Sequence, residues 1–263
     1  PQGRTNPNCF DYRRYLMSMN IYTVMKASGI DEVYGYSNRF FQITAGLRNQ
    51  TLDYLEENMG KDEFGIASGI LFGMTEYIDE DTLTVFRRGG TAHILAVSGL
   101  HLGILYGSLC RLKRKKRSIP FDTSVSLFLL IYAAMAGFTP SVVRASLVIL
   151  LHMLSIHLDR RYDMFSCLCT SMIIILVVSP NQIYSTGFQM SYIAALSIAV
   201  ILPFAGEKIK SRYIAPVMTI QAGMMPYQAY VFNYISPAAI LTNIPLIAIA
   251  SLIVPLGIMM IPL

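Results

Sequence analysis

The sequence predicts a mainly α protein: a polytopic helical membrane domain over residues 91–263, preceded by a smaller soluble part. Three observations carry this. Hydrophobic residues make up 54% of the chain and charged residues 14%, where a soluble domain has about 25% charged. The charges are also unevenly placed. Residues 1–90 hold twelve acidic and nine basic residues, residues 91–263 hold four acidic and twelve basic, and nothing charged follows Arg212. Finally, seven apolar runs can be drawn, near 91–110, 119–138, 141–158, 164–179, 187–204, 213–235 and 238–262. Most approach the length of about 20 residues that crosses a bilayer as a helix.

Taken in order, residues 1–37 read as the remnant of a preceding domain with its linker. They contain a short helix over Phe10–Met19 and a β-rich run over Ile21–Lys26. Residues 38–90 read as amphipathic or interfacial helices. Between Asn38 and Met59, Phe41, Ala45, Leu52 and Leu55 oppose Arg48, Asp53, Glu56 and Glu57, the pattern of a helix with one apolar face. Shorter helices are expected over Asp62–Phe72 and Asp79–Arg88, the second with acids in its first turn. Packing against the membrane bundle is the expected use of their apolar faces.

In the membrane domain, basic loops alternate with uncharged ones. Arg111–Arg117, Arg160–Arg161 and Lys208–Arg212 follow the first, third and fifth runs, while Gly137–Pro140 and Pro180–Thr186 carry no charge. The positive-inside rule places the basic loops in the cytoplasm and residues 1–90 outside. The last two runs are interrupted by Pro216, Pro226, Pro237, Pro245 and Pro255. Kinked and re-entrant helices both fit there, since irregular backbone at membrane depth must face protein or a water-filled cavity. The chain opens at Pro1 without Met and stops inside an apolar run, so it is read as an internal segment of a longer protein. No signal peptide is visible.

Polar groups at membrane depth are the candidate functional residues, because each costs several kcal/mol unless something satisfies it. Taken as one helix, the first run puts Ser98 and His101 about 60° apart, with His93 on the same broad face. Gly99, Gly103 and Gly107 form a ridge that suits close helix packing. Arg144 is expected to be the charge well inside an apolar run, either lining an aqueous path or snorkelling outward. His101 and His152 are expected near the midplane. Gln189 and Asn243 are further polar candidates. Tyr192, Tyr227, Tyr230 and Phe232 offer aromatic faces, although such residues serve equally as packing or interface anchors. The run interiors are read as lacking Asp and Glu, which argues against a proton relay and a Ser-His-Asp triad. The four cysteines show no CxxC or zinc-ligand spacing. No catalytic residue, metal or cofactor is expected in this segment.

Several segments together resemble the competence domain of ComEC-type proteins. They are Gly90-Thr91-Ala92-His93-Ile94-Leu95-Ala96-Val97-Ser98-Gly99-Leu100-His101, Gly137-Phe138-Thr139-Pro140-Ser141-Val142-Val143-Arg144-Ala145 and Gly187-Phe188-Gln189-Met190-Ser191-Tyr192. A weaker fourth is Phe232 with Leu241-Thr242-Asn243-Ile244-Pro245-Leu246. Asn6–Leu16 resembles the join after that family's extracytoplasmic OB-like domain. Asn8 and Cys9 stand where the family usually has glycines, and Met74 where it usually has an acid. The resemblance implies a bacterial inner-membrane channel passing single-stranded DNA into the cytoplasm during natural transformation. It also implies membrane lipid around it, a surface DNA receptor and a cytoplasmic helicase-like motor as partners, and a metallo-β-lactamase-like domain elsewhere in the whole protein. For such a path, His93, Ser98, His101, Arg144, His152, Gln189 and Asn243 are the lining candidates. The tyrosines and Phe232 are the stacking candidates, since base stacking on an aromatic side chain is worth about 1–3 kcal/mol. Two other functions fit the residues: an intramembrane hydrolase with Ser98 as nucleophile and a histidine as base, and a polytopic small-solute transporter.

Overall fold

The computed structural model describes residues 12–18, 21–24, 38–112, 119–209, 211, 214–233 and 239–259. Within them the protein is helical and no strand forms. The Asn6–Leu16 join lies largely outside these residues, as do the remnant of a preceding domain and part of the Ile21–Lys26 run; residues 21–24 have no regular structure.

Four α-helices precede the apolar runs among the described residues, two of them starting on side-chain caps. Helices α1 (Tyr12–Ser18) and α2 (Arg39–Asn58) come first, and the Asn38 side chain accepts from the Phe40 N–H at 3.1 Å. Helix α3 (Lys61–Phe72) ends on Gly73, whose φ of 78° closes the helix by left-handed geometry. Helix α4 (Glu80–Arg88) is capped by Asp79, which accepts from the Thr82 N–H at 2.7 Å. Hydrogen bonds from Thr82 hold the Asp79 carboxyl below the ordinary carboxylate range.

The seven apolar runs correspond to α5 (Gly99–Leu112), α6 (Ile119–Met135), α7 (Pro140–His157), α8 (Met164–Val178), α9 (Thr186–Leu196) continuing through a π turn into α10 (Leu202–Lys208), α11 (Ile214–Phe232) and α12 (Ala239–Met259). By length and composition, three helical stretches suffice to cross a membrane: Pro140–His157, Thr186–Gly206 and Leu241–Met259. Helices α6 and α8 are apolar but shorter. Large apolar side chains point outward along these helices; Val177 of α8 is 76% exposed, and Ile173 and Leu252 are also exposed. That surface suits lipid rather than water.

The run 187–204 is not a regular helix. Its π turn covers Ser197–Ile201, and the Leu202 N–H reaches the Ser197 carbonyl. Pro203 follows at once and has no N–H for the carbonyl four residues back, which favours the wider turn. Gly223 of α11 packs onto this turn. A Cβ there would lie 2.8 Å from the Ser197 Cβ, closer than side chains tolerate.

Within residues 38–90, α3 packs into the core. Phe64, Ile70, Leu71 and Phe72 are buried, and the buried Tyr132 hydroxyl of α6 donates to the Leu71 carbonyl at 2.8 Å. Gly257 of α12 closes on the same residue, where a Cβ would meet Leu71 Cδ1 at 2.8 Å. The chain then folds back along α3. A Cβ at Gly65 would lie 3.1 Å from the Tyr77 carbonyl carbon, so the glycine is what permits the approach.

One expectation is corrected: an acid does lie inside an apolar run. Asp122 lies four residues into the run 119–138 and is 3% exposed. Its Oδ2 sits 2.9 Å from His157 Nε2, joining the start of α6 to the end of α7.

Candidate functional site

The run from Thr91 to Cys110 is not one helix. Ala92–Ile94 forms a 3-10 turn and α5 begins only at Gly99. His93 therefore lies on a separate turn before α5, with an exposed side chain. Ser98 is the N-cap. Its hydroxyl accepts from the Leu100 N–H at 3.3 Å, while His101 Nδ1 accepts from the Ser98 N–H at 3.1 Å and lies 3.0 Å from Ser98 Oγ. This is the capping-box arrangement with histidine in the reaching-back role. A backbone N–H can only donate, so Nδ1 accepts and the neutral ring carries its proton on Nε2. That Nε2 is buried and has no hydrogen-bond partner among the described residues.

The Ser141 hydroxyl of α7 donates to the Val97 carbonyl at 2.9 Å, which sets the tops of α5 and α7 level. At about 1.5 Å per residue, Arg144 and His101 lie about 5 Å below that level and His152 about 16 Å below. His101 and His152 are therefore not at one depth. The His152 ring instead packs between Tyr106 and Tyr162, at centroid distances of 5.9 and 4.5 Å.

Arg144 is 4% exposed and does not snorkel. Its Nη2 donates to the Gly187 carbonyl of α9 at 2.9 Å. The guanidinium lies 5.5 Å from the Phe188 ring centre and 5.9 Å from that of Tyr192, within cation–π range. Nε and Nη1 have no hydrogen-bond partner among the described residues. Around this point a polar seam follows the start of α9. The Tyr192 hydroxyl lies 3.0 Å from Ser171 Oγ of α8. Gln189 donates to the Ile183 carbonyl at 2.6 Å and accepts from the Tyr227 hydroxyl of α11. Thr242 Oγ1, beside buried Asn243, donates to the Gly89 carbonyl at 3.0 Å. Four segments far apart in sequence are thus joined by direct contacts between neighbours. The fourth bonds the residue just before the first, the first touches the second, and the second touches the third.

Tyr230 stands apart at 81% exposure, and the side chain of Phe232 lies outside the described residues. The glycine ridge is corrected in part. A Cβ at Gly99 would meet the Ala145 Cβ at 3.3 Å, but at Gly103 or Gly107 it would meet nothing within 4 Å. Of these three glycines, Gly99 alone packs closely against another described residue. Gly103→Leu should therefore leave the amount of folded protein unchanged, and Gly99→Leu should lower it. Fluorescence-detected size exclusion of tagged variants checks both; equal loss from the two would restore the full ridge.

Sequence reasoning missed the Asp122–His157 pair, the Ser141–Val97 bond and the Gly223–Ser197 contact. For the pair the signal was present: an acid one turn into an apolar run, and a histidine at the far end of the next helix.

Fold and site define a helical membrane domain in which buried polar turns close around one arginine. The chain belongs to the Competence protein family, which matches residues 70–263. It is 28% identical to ComE operon protein 3 of Bacillus subtilis over 253 residues, 92% of this chain and 32% of that protein. Recombination protein 2 of Haemophilus influenzae is 26% identical over 280 residues, 97% of this chain and 34% of that protein. An uncharacterized protein of Aquifex aeolicus is 28% identical over 199 residues, 74% of this chain and 47% of that protein. The chain spans about a third of the length of the first two relatives. No solved structure matches.

Proposed function

We propose that this chain forms the membrane passage through which a single DNA strand enters a bacterial cell during natural transformation. Membership of the Competence protein family supports it. The observation that carries it is the junction at Arg144. A buried cation, two aromatic rings and a polar seam meet where the family-like segments touch, and a single strand needs positive charge for phosphates and aromatic faces for bases. The proposal includes the alternating topology, with residues 1–90 outside, in the cytoplasmic membrane. It also includes a surface receptor, a helicase-like motor and further domains in the whole protein.

One observation favours the hydrolase alternative: Ser98 Oγ lies within hydrogen-bond reach of His101 Nδ1. That same nitrogen accepts from the Ser98 backbone, however, and the far side of the ring has no orienting carboxylate. Helix capping accounts for the contact. Ser98→Ala should therefore cost about 1 kcal/mol of stability through the lost cap and leave DNA import largely intact.

The test uses cells lacking the native gene and carrying the full-length protein. Duplex DNA bears a different label on each strand, and nuclease-protected label is counted. Protection of one strand only, dependent on the protein and retained by Ser98→Ala, is the expected result. Abolition by Ser98→Ala at normal abundance, with fluorophosphonate labelling of Ser98, would replace the passage by the hydrolase.

A further inference from the structure

We infer that the first turn of α9 and Arg144 form a seat for one phosphodiester group, gripping the backbone of the entering strand. This rests on the DNA-passage reading above and names its recognition point.

Helix α9 begins after Ser185. The Ser185 hydroxyl accepts from the Phe188 N–H at 3.4 Å and its carbonyl from the Gln189 N–H at 3.0 Å. Helix geometry leaves the N–H groups of Thr186 and Gly187 without intrahelical partners. They carry the positive end of the helix dipole, where phosphates bind readily.

A helix start alone would not identify a ligand, but the cation beneath it does. Arg144 is 4% exposed, and its Nη2 holds the Gly187 carbonyl, which fixes the guanidinium against this turn. Nε and Nη1 are buried without partners among the described residues. Unmatched donors on a buried cation are costly, and no carboxylate is bonded to Arg144 among the described contacts. The matching group is an anion with several acceptor oxygens. Phe188 and Tyr192 flank the guanidinium and hold its plane.

Gly187 supplies a third, independent observation. It is exposed, its φ is not positive, and an added Cβ would meet only Ser185 Oγ at 3.8 Å. Nothing among the described residues requires glycine at this position. A bare backbone there does let a bulky anion approach the N–H groups closely. A phosphodiester occurs both in DNA and in anionic lipid headgroups. The polar seam to Gln189 and Tyr227 beside the turn favours the strand.

The experiment uses the full-length protein in nanodiscs of zwitterionic phosphatidylcholine. Fluorescence anisotropy reports binding of a labelled single-stranded thymidine oligonucleotide, and of the same oligonucleotide with a neutral methylphosphonate backbone. Gly187→Ala should weaken phosphodiester binding about tenfold without lowering the melting temperature, since alanine suits a helix better than glycine. Arg144→Gln should weaken it at least as much. The neutral oligonucleotide should bind weakly and equally to all variants. If wild type binds the charged oligonucleotide and Gly187→Ala binds it equally well, the seat is wrong while the passage stands. If the variants lose only a stabilisation given by discs containing phosphatidylglycerol, the seat holds lipid and the proposal fails. If wild type binds no oligonucleotide, the passage itself is overturned.

Discussion

Replacing Arg144 by Glu is expected to reduce DNA import by at least about 100-fold at unchanged membrane abundance. The side chain is buried, lies against the start of α9 and has no carboxylate bonded to it among the described residues. Two unit charges 4 Å apart interact by about 4 kcal/mol at an effective dielectric of 20. Glu turns that attraction for phosphate into repulsion, and about 1.4 kcal/mol already changes an equilibrium tenfold. Lys should retain partial import, because it keeps the charge and loses the planar fork. Gln separates the electrostatic role from a purely structural one. It keeps a donor for the Gly187 carbonyl and drops the charge, so wild-type import by Arg144→Gln would reduce Arg144 to a clasp between α7 and α9. Import of labelled DNA into a nuclease-protected state, beside total cell-bound DNA, is the measurement. Cell-bound duplex should not change in any variant, since a separate receptor is proposed to hold it.

Gly223→Ala is expected to deplete the folded protein severely. The new methyl would fall on the Ser197 hydroxyl and 2.8 Å from the Ser197 Cβ, and the latter is fixed to the backbone of the π turn. Overpacking of this kind costs about 1–3 kcal/mol or more, a large part of a marginal stability. Adding Ser197→Ala removes the hydroxyl and leaves the Cβ clash, so it should restore the protein in part. Membrane abundance and thermal melting of the detergent-solubilised protein check both. Normal abundance of Gly223→Ala would mean that α11 can shift away from the turn at little cost.

Most helices were legible because their signals are local. Asn38 and Asp79 sit one residue before α2 and α4 and cap them. The apolar runs contain α5 to α9 and α12 almost entirely, since hydropathy over twenty residues does not depend on tertiary contacts. The break at Ser98 escaped because an uncharged run looks continuous, although Ser98-x-x-His101 has the spacing of a capping box. Packing of α3 was expected but its close contacts were not legible, because Lys61, Asp62 and Glu63 open a helix of only twelve residues. What admits it is Gly65, Gly69 and Gly257, which let neighbours approach closely.

At the candidate site, residue type was legible and placement was not. Arg144 stood out as a charge among apolar residues, but its partner Gly187 is 43 residues away. Likewise Thr242 reaches Gly89 across 153 residues. A single sequence carries no information about such pairs. The depth assigned to His101 followed from treating 91–110 as one helix, and it changed when the helix start moved to Gly99.

The passage is tested most directly by capturing a strand inside it. Tyr227→benzoylphenylalanine places a photoreactive aromatic group beside Gln189 and the start of α9. Val177→benzoylphenylalanine places the same group on the outward apolar face of α8. DNA carrying a bulky block at its trailing end is stalled during import by the full-length protein and irradiated. A covalent adduct between single-stranded DNA and position 227, with none at position 177, is the expected result. Import that proceeds with no adduct at 227, or with equal adducts at both positions, would show that the strand does not pass beside Arg144.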